Sequence, residues 1–344
     1  MKILIYGAGV IGSTYGWQLA KAGHDISILV RNNQKQGFEE NGINIYCTDF
    51  RNDKKITENI IFRPKVTDTL SVDNDFEYII VTTHSFHLEE ILPVLKKSSG
   101  KAHILFFQNI WQDDLKKISQ CLMSGQYFFG FPFMAGGGRN EKGINAVISG
   151  SKYSKTMLGE TTGETTPRIQ KIADAMSDAG MKPFISNQIM NWLIPHYAFI
   201  TGISAGIIKA GGTMKSFISN TKIIKTTIKS IREGFYVCSQ MNINPKKEKV
   251  NKLYYLPLFI SVPIVKKIFR DEAMQAMFDG YLKNSTKEIQ LMVQKIISDG
   301  DKSGIKTSYL KENQFKYLQP IITQYFIDNK SEIWLLFLIA HSKR

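Results

Sequence analysis

The stretch Lys2–Gly12, KILIYGAGVIG, decides the fold. Its apolar run, Ile3-Leu4-Ile5-Tyr6, has the length and composition of a buried strand. Glycines follow at the spacing GxGxxG, and residues 10–22 then have the pattern of a helix. A Gly23-His24 break comes next, followed by a second strand pattern over residues 25–31. This order predicts one β–α–β unit.

A glycine turn between a strand and a helix predicts a dinucleotide site, because the free N–H groups at the start of a helix bind a pyrophosphate. Gly7 permits the tight turn, Gly9 leaves room for the phosphates, and Gly12 lets the helix pack on the strand. The predicted cofactor contacts along this turn are Gly7, Ala8, Gly9, Val10, Ile11 and Gly12.

The end of the second strand, LVRNN at residues 29–33, indicates which dinucleotide binds. NAD-binding sites have Asp or Glu here, on the ribose 2′-hydroxyl, and this stretch has neither. Asp25 lies at the start of the strand, at the other edge of the sheet. The guanidinium of Arg31 suits a 2′-phosphate, so we predict NADP(H) rather than NAD(H). The alternative is that Arg31 is a surface residue at the end of a strand.

Strand and helix patterns alternate over the first part of the chain, and helical patterns follow. We therefore predict an α/β fold with a Rossmann-type, doubly wound parallel sheet in residues 1–165. Residues 166–344 are predicted to form an all-helical domain for substrate binding and dimerisation. The glycine-rich segment 130–143 predicts a loop. Single helices are predicted over residues 214–241, 271–298 and 311–326.

The charge is unevenly distributed between the two parts. The 344 residues carry a net charge of +14, of which residues 151–344 carry +13 and residues 1–150 only +1. The excess is either a lysine-rich surface or a field for an anionic substrate. Because the basic second part contains no recognisable nucleic-acid-binding motif, we expect no nucleic-acid partner.

The cysteines and the hydropathy of the sequence argue against a disulfide-linked, metal-binding or membrane protein. Cys47, Cys121 and Cys238 are far apart and have no metal-ligand spacing, so neither a disulfide framework nor a metal site is expected. No apolar stretch reaches the roughly 20 residues that span a bilayer, and no secretion signal is evident. We expect a cytoplasmic protein with no membrane association.

These features resemble the ketopantoate reductases (2-dehydropantoate 2-reductases), and the resemblance extends over most of the chain. It implies cofactor contacts at Thr83 and His84 after the fourth strand, where the family often has lysine in place of His84. It implies a contact near the nicotinamide at Asn109, after the fifth strand. Ala135 begins a segment similar to the family's next cofactor-side loop. Glu288 resembles the glutamate that reaches the family's active-site lysine and the cofactor; the alternative is a solvated residue on an amphipathic helix.

The chain departs from the family where the resemblance implies the catalytic lysine. Trp192-Leu193-Ile194 stands in place of Trp-x-Lys, Ala198 replaces a substrate-binding asparagine, and Ala276 replaces a serine. His196 is the nearest titratable side chain, and its ordinary pKa of about 6.5 suits proton donation. A histidine in an apolar helix is otherwise a core residue. Lys209 or water are the other candidate donors.

The predicted function is that of an NADPH-dependent oxidoreductase of the ketopantoate reductase type, which reduces the ketone of a small 2-oxo acid or a related carbonyl. Its predicted catalytic residues are Glu288, Asn109 and His196. The alternative is a regulatory protein that binds NADPH without turnover. The expected partners are a small anionic carbonyl substrate and a second copy of the chain in a homodimer.

Overall fold

The strand that precedes the glycine turn lies at the centre of an eight-stranded sheet. The computed structural model describes residues 1–51 and 55–313. The strands are β1 (Lys2–Tyr6), β2 (Asp25–Leu29), β3 (Ile43–Asp49), β4 (Ile56–Phe62), β5 (Lys65–Thr67), β6 (Tyr78–Val81), β7 (His103–Phe106), β8 (Tyr127–Pro132), β9 (Ala135–Asn140), β10 (Gly143–Ile148), β11 (Thr156–Gly159) and β12 (Pro183–Ile185). The α-helices are α1 (Val10–Lys21), α2 (Asn32–Asn41), α3 (Leu88–Ser98), α4 (Gln112–Cys121), α5 (Pro167–Asp178), α6 (Ile189–Lys209), α7 (Met214–Ser219), α8 (Thr221–Gln240), α9 (Leu258–Ile268), α10 (Glu272–Asn284) and α11 (Thr286–Lys302).

The order of the large sheet is β12-β11-β8-β7-β6-β1-β2-β5. The six strands from β8 to β5 are parallel, whereas β11 runs antiparallel to β8. The chain leaves β1 for β2 on one side and returns to β6 on the other. This reversal opens a crevice at the carboxyl ends of the strands, as in the predicted doubly wound sheet.

Alternation along the central strands places apolar side chains on both faces of the sheet. Ile3 and Ile5 pack in the core that contains α1 and α5. Leu4, between them, packs in the core that contains α3 and α4. A strand buried on both faces is apolar throughout, which explains the run that opens the chain.

A second sheet, in the order β4-β3-β10-β9, forms from residues that the sequence analysis divided between strands and a loop. The predicted loop over residues 130–143 is wrong, because most of this segment lies in β8 and β9. Its glycines serve packing: a Cβ on Gly280 of α10 would lie 2.3 Å from the carbonyl carbon of Gly137. Strand and helix backbones therefore meet directly.

The sheet-containing unit extends beyond the predicted boundary at residue 165. β12 pairs with β11, and the apolar side chains of α5 pack in the same core as those of α1. Both elements therefore belong to the first unit, which ends near Ile185. Between residues 186 and 313 the structure contains helices and no strand.

Two of the predicted long helices are each divided in two. The side chain of Asn220 accepts a hydrogen bond from the Ile223 N–H (3.1 Å), and this cap separates α7 from α8. The second break lies at Ser285, between α10 and α11. The predicted helix over residues 311–326 lies almost wholly outside the described residues. No helix in the described ranges combines the length and the apolar character needed to cross a bilayer.

Candidate active site

The glycine turn at the end of β1 is held by contacts with both neighbouring strands. Gly7 has φ +115° and its N–H donates to the Leu29 carbonyl (3.1 Å), while Thr82 Oγ1 donates to the Gly7 carbonyl (3.0 Å). A Cβ on Gly12 would lie 2.1 Å from that carbonyl oxygen. The turn therefore requires glycine at both positions.

Gly9 differs from its neighbours because a Cβ there would meet nothing within 4 Å. It is the N-cap of α1, whose first turn has no side-chain cap and no acidic residue. The N–H groups at the start of α1 therefore face open space at the positive end of the helix dipole, an arrangement that suits an anion.

Two arginines lie close to this turn. Arg31 is exposed at the start of α2, directly after the second strand, and its guanidinium forms no ion pair within the described ranges. Arg139 of β9 donates to the Ala8 carbonyl (3.4 Å) and lies 5.5 Å from the ring centre of Phe38. The sequence analysis missed Arg139, because only the position of the second sheet brings it to the turn.

The segments after β6 and β7 are tied together by Gln108. Its Nε2 donates to the carbonyl (2.8 Å) and the Oγ1 (3.1 Å) of Thr83. It also approaches the His84 carbonyl at 3.3 Å. This side chain fixes the two loops that carry His84 and Asn109, a role that no pattern in the sequence indicates.

Glu288 of α11 joins both of these loops across the interface between the two units. Its side chain is only 4% exposed. Asn109 Nδ2 donates to Oε1 (3.4 Å), and Tyr281 of α10 donates to Oε2 (2.8 Å). His84 Nδ1 lies 3.0 Å from the same Oε2. We call these four side chains the Glu288 cluster.

The carboxylate changes the acidity of the two ionisable groups beside it. Burial raises the pKa of Tyr281 well above 10, and the charge of Glu288 raises it further. Burial lowers the pKa of His84, but the contact with Glu288 and its charge outweigh this effect, so the pKa is raised above 6.5. The protonated form of His84 is therefore favoured relative to that of an isolated histidine.

Comparison with known proteins identifies the first unit. Residues 3–157 match the family model described as "Ketopantoate reductase PanE/ApbA". These residues are a ketopantoate reductase family domain. The resemblance predicted from the sequence is thus confirmed for this domain.

Curated relatives are similar over part of the chain. "Uncharacterized oxidoreductase YkpB" of Bacillus subtilis (strain 168) is 24% identical over 208 residues, which are 60% of this chain and 64% of that protein. The match therefore spans less than two thirds of that relative. The "2-dehydropantoate 2-reductase" of Pyrococcus abyssi (strain GE5 / Orsay) is 25% identical over 251 residues, 71% of this chain and 75% of that protein.

Solved structures share the fold over nearly the whole chain. A 2-dehydropantoate 2-reductase from Geobacter metallireducens GS-15 has a TM-score of 0.70 at 14% identity, covering 92% of this chain and 98% of that one. D-mandelate dehydrogenase with NADH and anilino(oxo)acetate has a TM-score of 0.69 at 18% identity, covering 91% and 96%. The predicted fold class, a Rossmann-type unit followed by helices, is confirmed.

His196, on α6, does not belong to the Glu288 cluster. The imidazole of His196 stacks on Trp192, at 4.5 Å between ring centres, and packs against Phe131. Its Nε2 is buried and has no hydrogen-bond partner within the described ranges. Burial lowers its pKa to about 3, so it is neutral at pH 7. The structure argues against its predicted role as proton donor.

This burial predicts a stability effect in acid. In the unfolded chain His196 becomes protonated as the pH falls below 6.5. In the folded chain it stays neutral until the pH approaches about 3. The contribution of the buried, neutral His196 to the free energy of unfolding is thus fully present above pH 6.5 and is lost as the pH falls. Relative to His196→Phe, wild type should lose about 2.3 kcal/mol of unfolding free energy between pH 6.5 and 4.5. Urea unfolding at several pH values measures the difference; a constant difference would contradict the prediction.

The structure also gives the surroundings of Ala135, Ile194 and Lys209, which the sequence analysis singled out. Ala135 is buried in β9 and pairs with Ile148, so it belongs to a strand rather than to a cofactor-side loop. Ile194 is 1% exposed in the core of the helices, and its carbonyl accepts from Cys238 Sγ. Lys209 Nζ donates to Glu312 (2.6 Å). Ile194 has no amine, and the Lys209 amine is engaged by Glu312.

Proposed function

We propose that this chain is an NADPH-dependent reductase that converts the ketone of a small 2-oxo acid, or a related carbonyl, to a hydroxyl group. The observation that carries the proposal is the Glu288 cluster. It gathers Asn109 and His84 at the carboxyl edge of β7 and β6, beside the glycine turn of β1. In a doubly wound sheet this edge is where a dinucleotide and its substrate meet.

The residues present fit a nicotinamide dinucleotide. The open space at Gly9 and the uncapped start of α1 suit the pyrophosphate. Asn109 Oδ1 is buried and has no donor within the described ranges, so it can accept a hydrogen bond from a carboxamide N–H. When bound, the reduced cofactor supplies a hydride to the carbonyl carbon of the substrate.

A groove of about 260 Å³ beside Glu288 offers space for a small substrate. It is lined on one side by Ser85 and Phe86, and on the other by Tyr197 and Lys295. Its charged lining consists of Glu288 and two ion pairs, Lys295 with Asp114 (2.9 Å) and Lys117 with Glu89 (2.7 Å). The basic excess of the second part of the chain is in keeping with an anionic substrate.

The choice of NADPH over NADH depends on Arg31 in this proposal. We expect Arg31→Ala to reduce the preference for NADPH by about tenfold, because one charge-assisted contact with the 2′-phosphate is lost. Dissociation constants of both cofactors, from fluorescence titration, measure the preference. Arg270→Ala, which removes an exposed arginine beyond α9, is the matched control. An unchanged ratio in Arg31→Ala would assign the preference to another residue, such as Arg139.

The reaction itself is tested by following NADPH oxidation with a panel of 2-oxo acids and related carbonyls. We expect turnover of at least one small 2-oxo acid, with NADPH preferred. The absence of the family's lysine at Ile194 favours the one rival reading, a protein that binds NADPH without reducing anything. Tight binding of NADPH without oxidation by any carbonyl would support that rival and overturn the proposal.

A further inference from the structure

A carbonyl carbon that accepts hydride leaves an oxygen that needs one proton. The structure brings two titratable donors to Glu288, His84 and Tyr281. The hydroxyl of Tyr281 is committed to the carboxylate at 2.8 Å, and its pKa well above 10 makes it a weak acid. Two lysines discussed above form ion pairs with other carboxylates, Lys295 with Asp114 and Lys209 with Glu312.

We propose that the imidazolium of His84, held by Glu288, is the proton donor that replaces the missing lysine. This inference rests on the proposed function and names the catalytic acid of the same site. It differs from the role that the resemblance implies for this position, which is cofactor contact. The carboxylate would act as the positioning group for the ring.

The geometry around the ring supports this role. Nδ1 faces Glu288, so the opposite ring nitrogen, Nε2, points away from the carboxylate. Phe86 stacks on the ring with 5.3 Å between centres and 7° between planes, which fixes the orientation of the imidazole. The His84 side chain is 38% exposed, so part of the ring remains open to solvent and to a ligand. Nδ1 is thus held by the carboxylate while the side chain as a whole is partly accessible.

The charged groups that pack around His84 favour its protonated form. On α11, Glu288 contacts the ring directly, and the Lys287 ammonium lies 4.9 Å from the ring centre of Phe86. On α10, Tyr281 shares the carboxylate oxygen. On its own segment, His87 is paired with Glu90 at 3.0 Å. Among residues 1–51 and 55–313, the carboxylate of Glu288 is thus the charged group in direct contact with the ring.

The proton step balances without another reactant. As the hydride pair forms the new C–H bond, the carbonyl π electrons move to oxygen. The Nε2–H bond of His84 breaks and its proton forms the O–H bond of the product, leaving a neutral imidazole. The exposed edge of the ring then takes a proton from water, which restores the imidazolium for the next turnover.

The first test needs neither cofactor nor substrate. NMR titration of the imidazole protons should give His84 a pKa above 6.5 in wild type, and Glu288→Gln should bring it below 6.5, because burial then acts alone. The matched control is His87→Asn, which removes the neighbouring imidazole with the same 3.0 Å spacing to a glutamate. It should leave the His84 titration in place. If the pKa of His84 were the same in Glu288→Gln as in wild type, the assignment would be overturned.

The second test is kinetic. His84→Asn should lower kcat for carbonyl reduction about a hundredfold, the usual contribution of a general acid, and should abolish the fall of kcat as the pH rises through the pKa of His84. The dissociation constant of NADPH should change far less, and His87→Asn should behave as wild type. Equal kcat and pH profiles in His84→Asn and wild type would overturn the inference alone. Failure of wild type to reduce any carbonyl would overturn the proposed function and this inference together.

Discussion

Gly9→Ala is expected to weaken the binding of NADPH about a hundredfold, or ~2.7 kcal/mol, while leaving the free energy of unfolding nearly unchanged. The backbone at Gly9 has φ −74°, which alanine adopts readily, and the added methyl group would meet no protein atom within 4 Å. The methyl group would instead occupy the space through which the phosphates approach the start of α1. Isothermal titration with NADPH and urea unfolding measure the two quantities.

Two other glycines provide the controls for this prediction. Gly125→Ala adds a methyl group in open space at the amino end of β8, at the opposite edge of the sheet, and should change neither quantity. Gly12→Ala places its methyl group 2.1 Å from the Gly7 carbonyl oxygen, so it should impair folding and binding together. If Gly9→Ala bound NADPH as wild type does, the pyrophosphate would not lie at this turn.

The glycine turn and the first unit could be predicted because their signals are local. A buried central strand is apolar at every position, and the residues after it must accommodate a turn that only glycine permits at Gly7. Both constraints involve neighbours in the chain. The order of strands then follows from the alternation of strands and helices, because parallel neighbours need a crossover.

The second sheet could not be predicted in the same way. Gly136, Gly137 and Gly138 have low strand propensity, so the sequence indicates a loop. In the fold they lie in a strand where side chains would not fit: a Cβ on Gly136 or Gly138 would meet α10, and one on Gly137 would lie 2.0 Å from the Asn145 carbonyl oxygen of β10. The constraint at Gly136 and Gly138 comes from a helix more than a hundred residues away, and only the assembled structure reveals it.

The Glu288 cluster was partly predictable. The resemblance named Glu288, Asn109 and His84 separately, but no spacing in the sequence says that the three side chains meet. Tyr281 and Gln108 were not predicted as site residues, and only the structure places them there. His196 misled for the opposite reason: its chemistry suits proton transfer, but Trp192 and Phe131 enclose it.

Gly280→Ala tests the contact that joins the helices to the second sheet. In an open helix this substitution stabilises, by about 1 kcal/mol, because alanine has the higher helix propensity. At Gly280 the methyl carbon would lie 2.3 Å from the carbonyl carbon of Gly137 and 2.6 Å from the N atom of Gly138, and backbone atoms cannot move aside as a side chain does. We therefore expect a net loss of about 3 kcal/mol of unfolding free energy.

Gly37→Ala is the matched control, because Gly37 also lies within a helix, α2, and a Cβ there would meet nothing within 4 Å. Urea unfolding should give opposite signs for the two variants, with Gly37→Ala more stable than wild type. Displacement of α10 by Gly280→Ala would also move the adjacent Tyr281 away from Glu288. The His84 titration should shift in the folded fraction of Gly280→Ala and remain unchanged in Gly37→Ala. Equal stability of Gly280→Ala and wild type would mean that strand and helix do not meet backbone to backbone, and the glycines of β9 would then need another explanation.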